Sequence, residues 1–347
     1  MRLFLTVLAM VLVMANSSGV AAQEEKPITI AFTGDVLFAG SIKNAINQHG
    51  VNYPFVYVKQ EVESADIAML NLETAITASN DKYPKIYNFK AAPHVLGGIK
   101  QSGFDLVSLA NNHAMDYREK GLTDTMNHLK AYKLPYVGAG KNKLEAYTPK
   151  RFIVNGKTIS IFGFSHVLPS VSWYVQANKP GIASGYQLDR MEYLIRKEKK
   201  DYGSDYVFVN IHWGQEKNPN PVAYQKTYAR KLIEAGADGI VGHHPHVLQG
   251  FEYYKGKPIA YSLGNFLFPS YVSGNTAETG ILTYSIQNGK ISMKFTPYQI
   301  HQNQIIKKDQ AYNEKLLTKM RNLSVNIARD KTCFFPKFEQ KLNICGK

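Results

Sequence analysis

Short apolar runs alternate with longer segments of mixed polarity along most of the chain. "ITIAF" (28–32), "IAMLNL" (67–72), "DLVSLA" (105–110), "YVFVNIH" (206–212) and "ADGIVG" (237–242) are β-rich runs of strand length. Between them, 93–102, 119–131 and 223–235 read as helices. This alternation predicts a sheet covered by helices. Two later stretches break the pattern. "RFIVNGKTISIF" and "LTYSIQNGKISMKF" place Asn155-Gly156 and Asn288-Gly289 between apolar runs. Asn-Gly accepts positive φ at both central positions of a tight turn, so each stretch predicts a hairpin and the sheets are mixed. From Lys308 onward, Leu316, Met320, Leu323 and Ile327 recur at helical spacing. They predict one amphipathic helix that packs back on the domain.

The N-terminus has a different pattern. Arg2 precedes an apolar run from Leu3 to Met14, then Asn16-Ser17-Ser18 and Val20-Ala21-Ala22. A basic start, a short apolar core and small residues form an export signal, so 1–22 is read as a signal peptide and the protein as periplasmic or extracellular. The apolar run is short for a membrane span, and membrane association is expected only if the signal is uncleaved. The two cysteines, Cys333 and Cys345, can pair in an oxidising compartment.

At 44% hydrophobic residues the chain can bury a sizeable core. Its formal charge of +14 favours acidic partners such as an anionic substrate or polymer. No nucleic-acid recognition motif or arginine-rich arm is present, so nucleic acid is not an expected partner.

The polar residues that matter sit where strands should end. Asp35 follows "IAFTG", and Glu73 follows "IAMLNL". Asn111, Asn112 and His113 follow "DLVSLA". His212 closes "YVFVNIH", and His244 and His246 follow "ADGIVG". The carboxyl ends of strands form the functional edge of an open α/β sheet. Carboxylate, amide oxygen and imidazole together suit Zn, Mn or Fe, as one ion or two. A bridging Glu73 can serve two metals that activate a water and clamp an oxyanion. His113 is then the natural general acid, with Asp116 reaching back to orient it. In "GIVGHHPHVLQG" (239–250), His244 precedes Pro245 and is expected to be extended. That geometry turns His244 and His246 to one side and His243 away.

As a set, "FTGDV", "NLETAI", "SLANNHAMDY", "IHWGQE", "GHHPHVLQG" and "YSLGNF" resemble the CapA family, the capsule-synthesis proteins associated with poly-γ-glutamate. That family is similar in fold to calcineurin-like metallophosphoesterases, and the resemblance runs from about 28 to 268. It implies an α/β fold of mixed sheets sandwiched by helices in four layers. The expected organisation is a domain over 23–305, with a C-terminal helical extension over 306–347 that lies outside the resemblance and is read from the helical spacing after Lys308. The resemblance also implies divalent metal held by Asp35, Glu73, Asn112, His212, His244 and His246, with His113 catalytic. Three positions depart from the phosphoesterase pattern. Leu37 stands where Asp-x-His has its histidine, Glu73 where an Asp is usual, and Ala114 where an acid follows the catalytic histidine.

Lys90, Glu216 and Asn265 are further candidates for the substrate side. Lys90 either meets an anion or is simply solvated. Glu216 either supports a metal ligand or is a loop charge. Asn265 either lines the pocket or forms a turn. The expected activity is a metal-dependent hydrolase or transferase acting on an anionic substrate or polymer. The alternative is a non-catalytic protein that holds an acidic polymer for a capsule export machine, with capsule-machinery proteins as partners.

Overall fold

Two mixed β-sheets lie face to face in a computed structural model that describes residues 26–337. The larger sheet has ten strands and the smaller has six. In the larger sheet, Ile28–Val36 runs between Ile67–Leu72, its parallel neighbour, and Glu278–Gln287, its antiparallel neighbour. Leu106–Ser108 and Tyr136–Val137 continue the parallel half. Lys290–His301, Cys333–Pro336 and Ile327–Asp330 extend the antiparallel half. The smaller sheet runs Phe251–Tyr254, Lys257–Ala260, Gly239–His243, Tyr206–His212, Lys157–Ser165, Lys150–Val154.

Three apolar clusters account for the layering. Ile30, Phe32 and Met69 of the larger sheet bury against Ile161, Phe208 and Val241 of the smaller. The outer face of the larger sheet packs Ala68 and Leu70 against Ile42, Leu96, Ile99, Leu122 and Met126 from helices. The outer face of the smaller sheet packs Phe162, Val209 and Ile240 against Met191, Ile195 and Leu232. The order is helix, sheet, sheet, helix.

The turns follow from local chemistry. Asn155 and Gly156 have φ of 49° and 73°, and Asn288 and Gly289 have 51° and 74°. Both pairs are two-residue hairpin loops, joining Val154 to Lys157 and Gln287 to Lys290. Lys255-Gly256 forms a third such loop, at 50° and 73°.

The tail contains more than the expected helix. Gln310–Leu323 is helical, capped by the Asp309 side chain and buried through Leu316, Leu317 and Met320. Ile327, expected on the same helical stripe, instead opens a strand of the larger sheet. Cys333 is disulfide-bonded. Cys345 and the signal segment 1–22 lie outside the described residues. Among the described residues, no helix is long and apolar enough to cross a membrane.

A buried carboxylate ties one outer helix to the smaller sheet. Glu198, on the Leu188–Asp201 helix, accepts from Arg151 Nε and Nη2 at 2.6 Å each. It also accepts from Ser160 and Ser204 at 2.7 Å. Burial works against its charge, but Arg151 and the two serine hydroxyls outweigh burial and lower its pKa below the ordinary 4.5. A depressed pKa contributes stability that is present above that ordinary value and is lost as pH falls through the folded one. Glu198→Gln is therefore expected to destabilise the protein at pH 7 by about 2 kcal/mol. The difference from the parent should shrink below about pH 4.5. Urea titrations at pH 7 and pH 4 check this, and a gap that widens in acid would contradict it.

Candidate metal centre

The strand ends of both sheets meet at one seam. Asp35 lies at the end of Ile28–Val36, fully buried, in register with Asn71 and Asn265 on its two parallel neighbours. Its N–H donates to Gly264 O at 2.9 Å, where Gly34 passes close to the Gly264 backbone. Glu73 follows the next strand and is fixed by its N–H to Val36 O at 2.9 Å. Asn111 knits the third strand end to the second. Its Nδ2 donates to Asn71 Oδ1 at 3.1 Å and Leu72 O at 2.9 Å, while its Oδ1 accepts the His113 N–H at 3.0 Å.

From the smaller sheet, His212 and His243 end adjacent parallel strands and face each other in register. His212 Nε2 lies 2.8 Å from Asn112 Oδ1 and 3.2 Å from Glu73 Oε1. The second contact is misaligned, so Glu73 Oε1 is buried with no hydrogen bond. Asn71 Nδ2 donates to Asp35 Oδ1 at 2.8 Å.

The three clustered histidines adopt a geometry other than the expected one. His244 and His246 have φ of 98° and 58°, so the segment is not extended. A tight loop forms because the His244 N–H turns in to Asp35 Oδ2 at 3.3 Å and Lys217 N–H holds Pro245 O at 2.7 Å. These contacts offset the left-handed backbone. His243 does not turn away. Its Nδ1 is 3.2 Å from Asp35 Oδ1, and its Nε2 is 2.7 Å from Asn210 Oδ1. It therefore orients Asp35 from behind. His246 Nδ1 lies 2.9 Å from Asn265 Oδ1 and 3.4 Å from Asp35 Oδ2.

Two groups of potential ligand atoms result, each within 4.8 Å: Asp35, Glu73, His212; and Glu216, His244, His246. Their electrostatics suit a cation. Burial, with the neighbouring Asp35 charge, pushes the Glu73 carboxyl well above its usual range. Burial also opposes the Asp35 charge, but the adjacent His243 and His246 imidazoles hold its carboxyl well below the usual range. Burial, with His244 alongside, holds His212 well below its ordinary range, and burial with His246 pushes His244 down to about 3. The imidazoles of His212 and His244 and two buried carboxyl groups, one with an orphaned oxygen, are a fitting donor set for a divalent ion. His246 differs: burial opposes its charge, but Glu73 and Asp35 outweigh burial there and raise its pKa to about 9, so an ion at that position would displace its proton. Leu37, at the Asp-x-His position, is buried with Phe268, Ala277 and Ile300.

Beside the ligands stands a second constellation. His113 Nδ1 lies 2.9 Å from Asp116 Oδ2, and its ring packs 4.7 Å from Phe89. Asp116 also accepts the Phe89 N–H at 2.6 Å and pairs with Lys85 Nζ at 2.5 Å. Lys85 Nζ lies 2.6 Å from Asn112 O and 3.2 Å from His113 Nδ1. Burial lowers the His113 pKa, and Asp116 opposes that shift.

The remaining candidates separate. Asn265 is in the cluster: it meets His246 and donates to Thr276 O at 2.9 Å. Glu216 stands with His244 and His246. Lys90 points elsewhere, its Nζ held by Ser79 O at 2.6 Å and Asn80 Oδ1 at 2.8 Å, over the Tyr117 ring. Sequence reasoning did not single out Asn71, Asn210 or Lys85. The two asparagines carry a signal, a lone amide inside an apolar strand, because a buried amide needs partners. Lys85 carries none, being one lysine among several in 82–90.

A family model described as bacterial capsule synthesis protein PGA_cap matches residues 29–270. The PGA biosynthesis protein CapA of Bacillus subtilis (strain 168) is 32% identical over 340 residues, covering 94% of this chain and 87% of that one. The capsule biosynthesis protein CapA of Bacillus anthracis is 30% identical over 285 residues, covering 81% and 69%. Among solved structures, a 5'-nucleotidase from Candida albicans SC5314 aligns with TM-score 0.43 and 12% identity, over 85% of this chain and 57% of that one.

Proposed function

The chain belongs to the bacterial capsule synthesis protein PGA_cap family, and from that premise we propose an exported, divalent-metal-dependent hydrolase or transferase. Its substrate in this reading is an anionic capsule-type polymer, with proteins of a capsule machinery as partners. The observation that carries it is the buried convergence of Asp35, Glu73 and His212 from two sheets, with His113 alongside. The two Bacillus relatives are named for capsule and PGA biosynthesis. The +14 charge complements an acidic polymer.

Asp35, Glu73 and His212 would hold one ion, with Asn112 beside them. Glu216, His244 and His246 would hold a second. A bound divalent ion supplies an activated water and charge neutralisation at the reacting centre. The chain's own residues do the rest. Asp116 engages His113 at Nδ1, leaving Nε2 as the atom that passes a proton to the leaving group. Lys85 balances the Asp116 charge and fixes the loop through Asn112 O. His243 and Asn71 hold the Asp35 carboxylate from behind.

Metal analysis of protein purified without chelator tests this reading. One to two equivalents of Mn, Zn or Fe are expected. Near-zero metal, with no activity gained on adding Mn or Zn, would overturn it. Glu216→Gln is expected to lose the second equivalent and keep the first, read as metal per chain; loss of both would remove Glu216 from the second site. The packing of Leu37 into an apolar cluster favours a second reading, in which the chain holds at most one ion and binds polymer without turnover.

A further inference from the structure

Beyond the metal centre, a cavity of about 510 Å³ opens against the segment that leaves the Lys157–Ser165 strand. Lys143, Tyr147, Tyr174, Tyr186, Gln187 and Arg190 are among its lining residues. Two of these are cations, and no carboxylate lines the cavity.

Of the two cations, Arg190 is half-buried and Lys143 is exposed. Lys85, Arg151, Lys199 and Arg230 each pair with Asp or Glu. Among the described residues, Lys143 and Arg190 have no ion pair within 4.0 Å. The Glu145 carboxylate, on the same helix as Lys143, is engaged by Tyr136 Oη at 2.6 Å and Lys141 N–H at 2.9 Å. The Arg190 guanidinium lies 4.1 Å from the Tyr147 ring centroid, and its Nε is buried without a hydrogen-bond partner. A buried, unsatisfied donor on a charged group is costly, and a carboxylate is the partner that relieves it best. The stacked guanidinium is already held in place, so little side-chain freedom is lost on binding.

A chain of contacts links the cavity lining to the backbone of His212. The His166 N–H donates to His212 O at 2.8 Å. The His166 ring is stacked between Tyr186, at 4.0 Å, and Tyr224, at 4.3 Å. Tyr224 Oη accepts the Gly214 N–H at 2.6 Å, two residues past His212. Tyr186 thus belongs both to the stack and to the cavity lining, and Tyr174 packs edge-on against it at 6.0 Å. Tyrosine faces accept methylene stems, while the cations take the charge at their end.

We propose that this cavity is a subsite for a pendant carboxylate of an acidic polypeptide, held by Arg190 and Lys143 with the chain lying against Tyr186. It rests on the reading of an acidic polymer as substrate, but not on the number of ions bound or on turnover.

The test is calorimetric titration of the full metal-loaded protein with a γ-linked hexaglutamate, the same chain with every pendant α-carboxylate converted to a carboxamide, and inorganic tripolyphosphate. The parent is expected to bind hexaglutamate and not the carboxamide chain. Lys143→Gln with Arg190→Gln should weaken hexaglutamate binding by roughly tenfold or more, the scale of one charge-assisted hydrogen bond. Metal content and melting temperature should be unchanged, which separates this result from a failure of the metal reading. Arg190→Lys should retain part of the affinity. Lys143 is exposed, so Lys143→Gln alone carries the test if the double variant does not fold. Equal hexaglutamate affinity in parent and folded variant would overturn the proposal. So would no binding by the parent, or a tripolyphosphate affinity exceeding that for hexaglutamate.

Discussion

His113→Ala is expected to reduce turnover of the anionic substrate by about 10²–10⁴-fold, the usual contribution of a positioned general acid. Metal content should stay at the parent level. The two halves of this expectation have separate physical grounds. His113 belongs to neither group of converging ligand atoms. Its Nδ1 is taken by Asp116 at 2.9 Å, and its main-chain N–H is held by Asn111. Removing the imidazole therefore deletes the proton donor and leaves Asp35, Glu73 and His212 in place. Activity assay and metal analysis on one preparation decide the matter. Loss of metal together with activity would make His113 a structural support of the centre. Full activity in the variant would remove it from the chemistry.

Gly34→Ala should be strongly destabilising. A Cβ at Gly34 would lie 2.1 Å from Gly264 O and 2.8 Å from Leu263 O. Neither atom is the end of a flexible side chain. Gly264 O also receives the Asp35 N–H, and the pairing of Ile28–Val36 with Ile67–Leu72 shifts register between Phe32 and Asp35. Relief of the overlap must therefore push the Asn265–Leu267 strand away and carry Asp35 with it. A loss above about 3 kcal/mol is expected, at the upper end for overpacking, together with reduced metal content. Gly97→Ala is the matched control. It sits in the Val95–Gln101 helix with nothing nearer than 3.7 Å, so alanine should be neutral or stabilise by about 0.5–1 kcal/mol. Urea midpoints of the two variants check the pair, and similar midpoints would refute the close-approach argument.

The architecture was legible because its signals are local. "IAMLNL" and "YVFVNIH" are strands over the full quoted lengths, Ile67–Leu72 and Tyr206–His212. Both Asn-Gly pairs make the loops their φ preferences dictate. Ile327 shows the limit of periodicity. Its spacing suits a helix, but the Gln310–Leu323 helix ends first and backbone pairing claims the residue for a sheet. The loop at His243–His246 shows the same limit at the site. A pre-proline bias toward extended backbone is weak beside an Asp35 carboxylate that captures the His244 N–H. Lys85 depends on tertiary approach alone, since nothing near it in the chain marks it from Lys82 or Lys90.

The placement of the first strand has a consequence in time. Ile28–Val36 is flanked on one side by Ile67–Leu72 and on the other by Glu278–Gln287. As the chain emerges N-terminus first, the early parallel strands can assemble, but the first strand keeps an unpaired edge until residue 278 appears. Pairings so distant in sequence form late, and a bare apolar edge recruits foreign strands meanwhile. The nascent chain thus has a long vulnerable interval, and truncation before residue 278 should yield aggregate in place of a smaller folded protein.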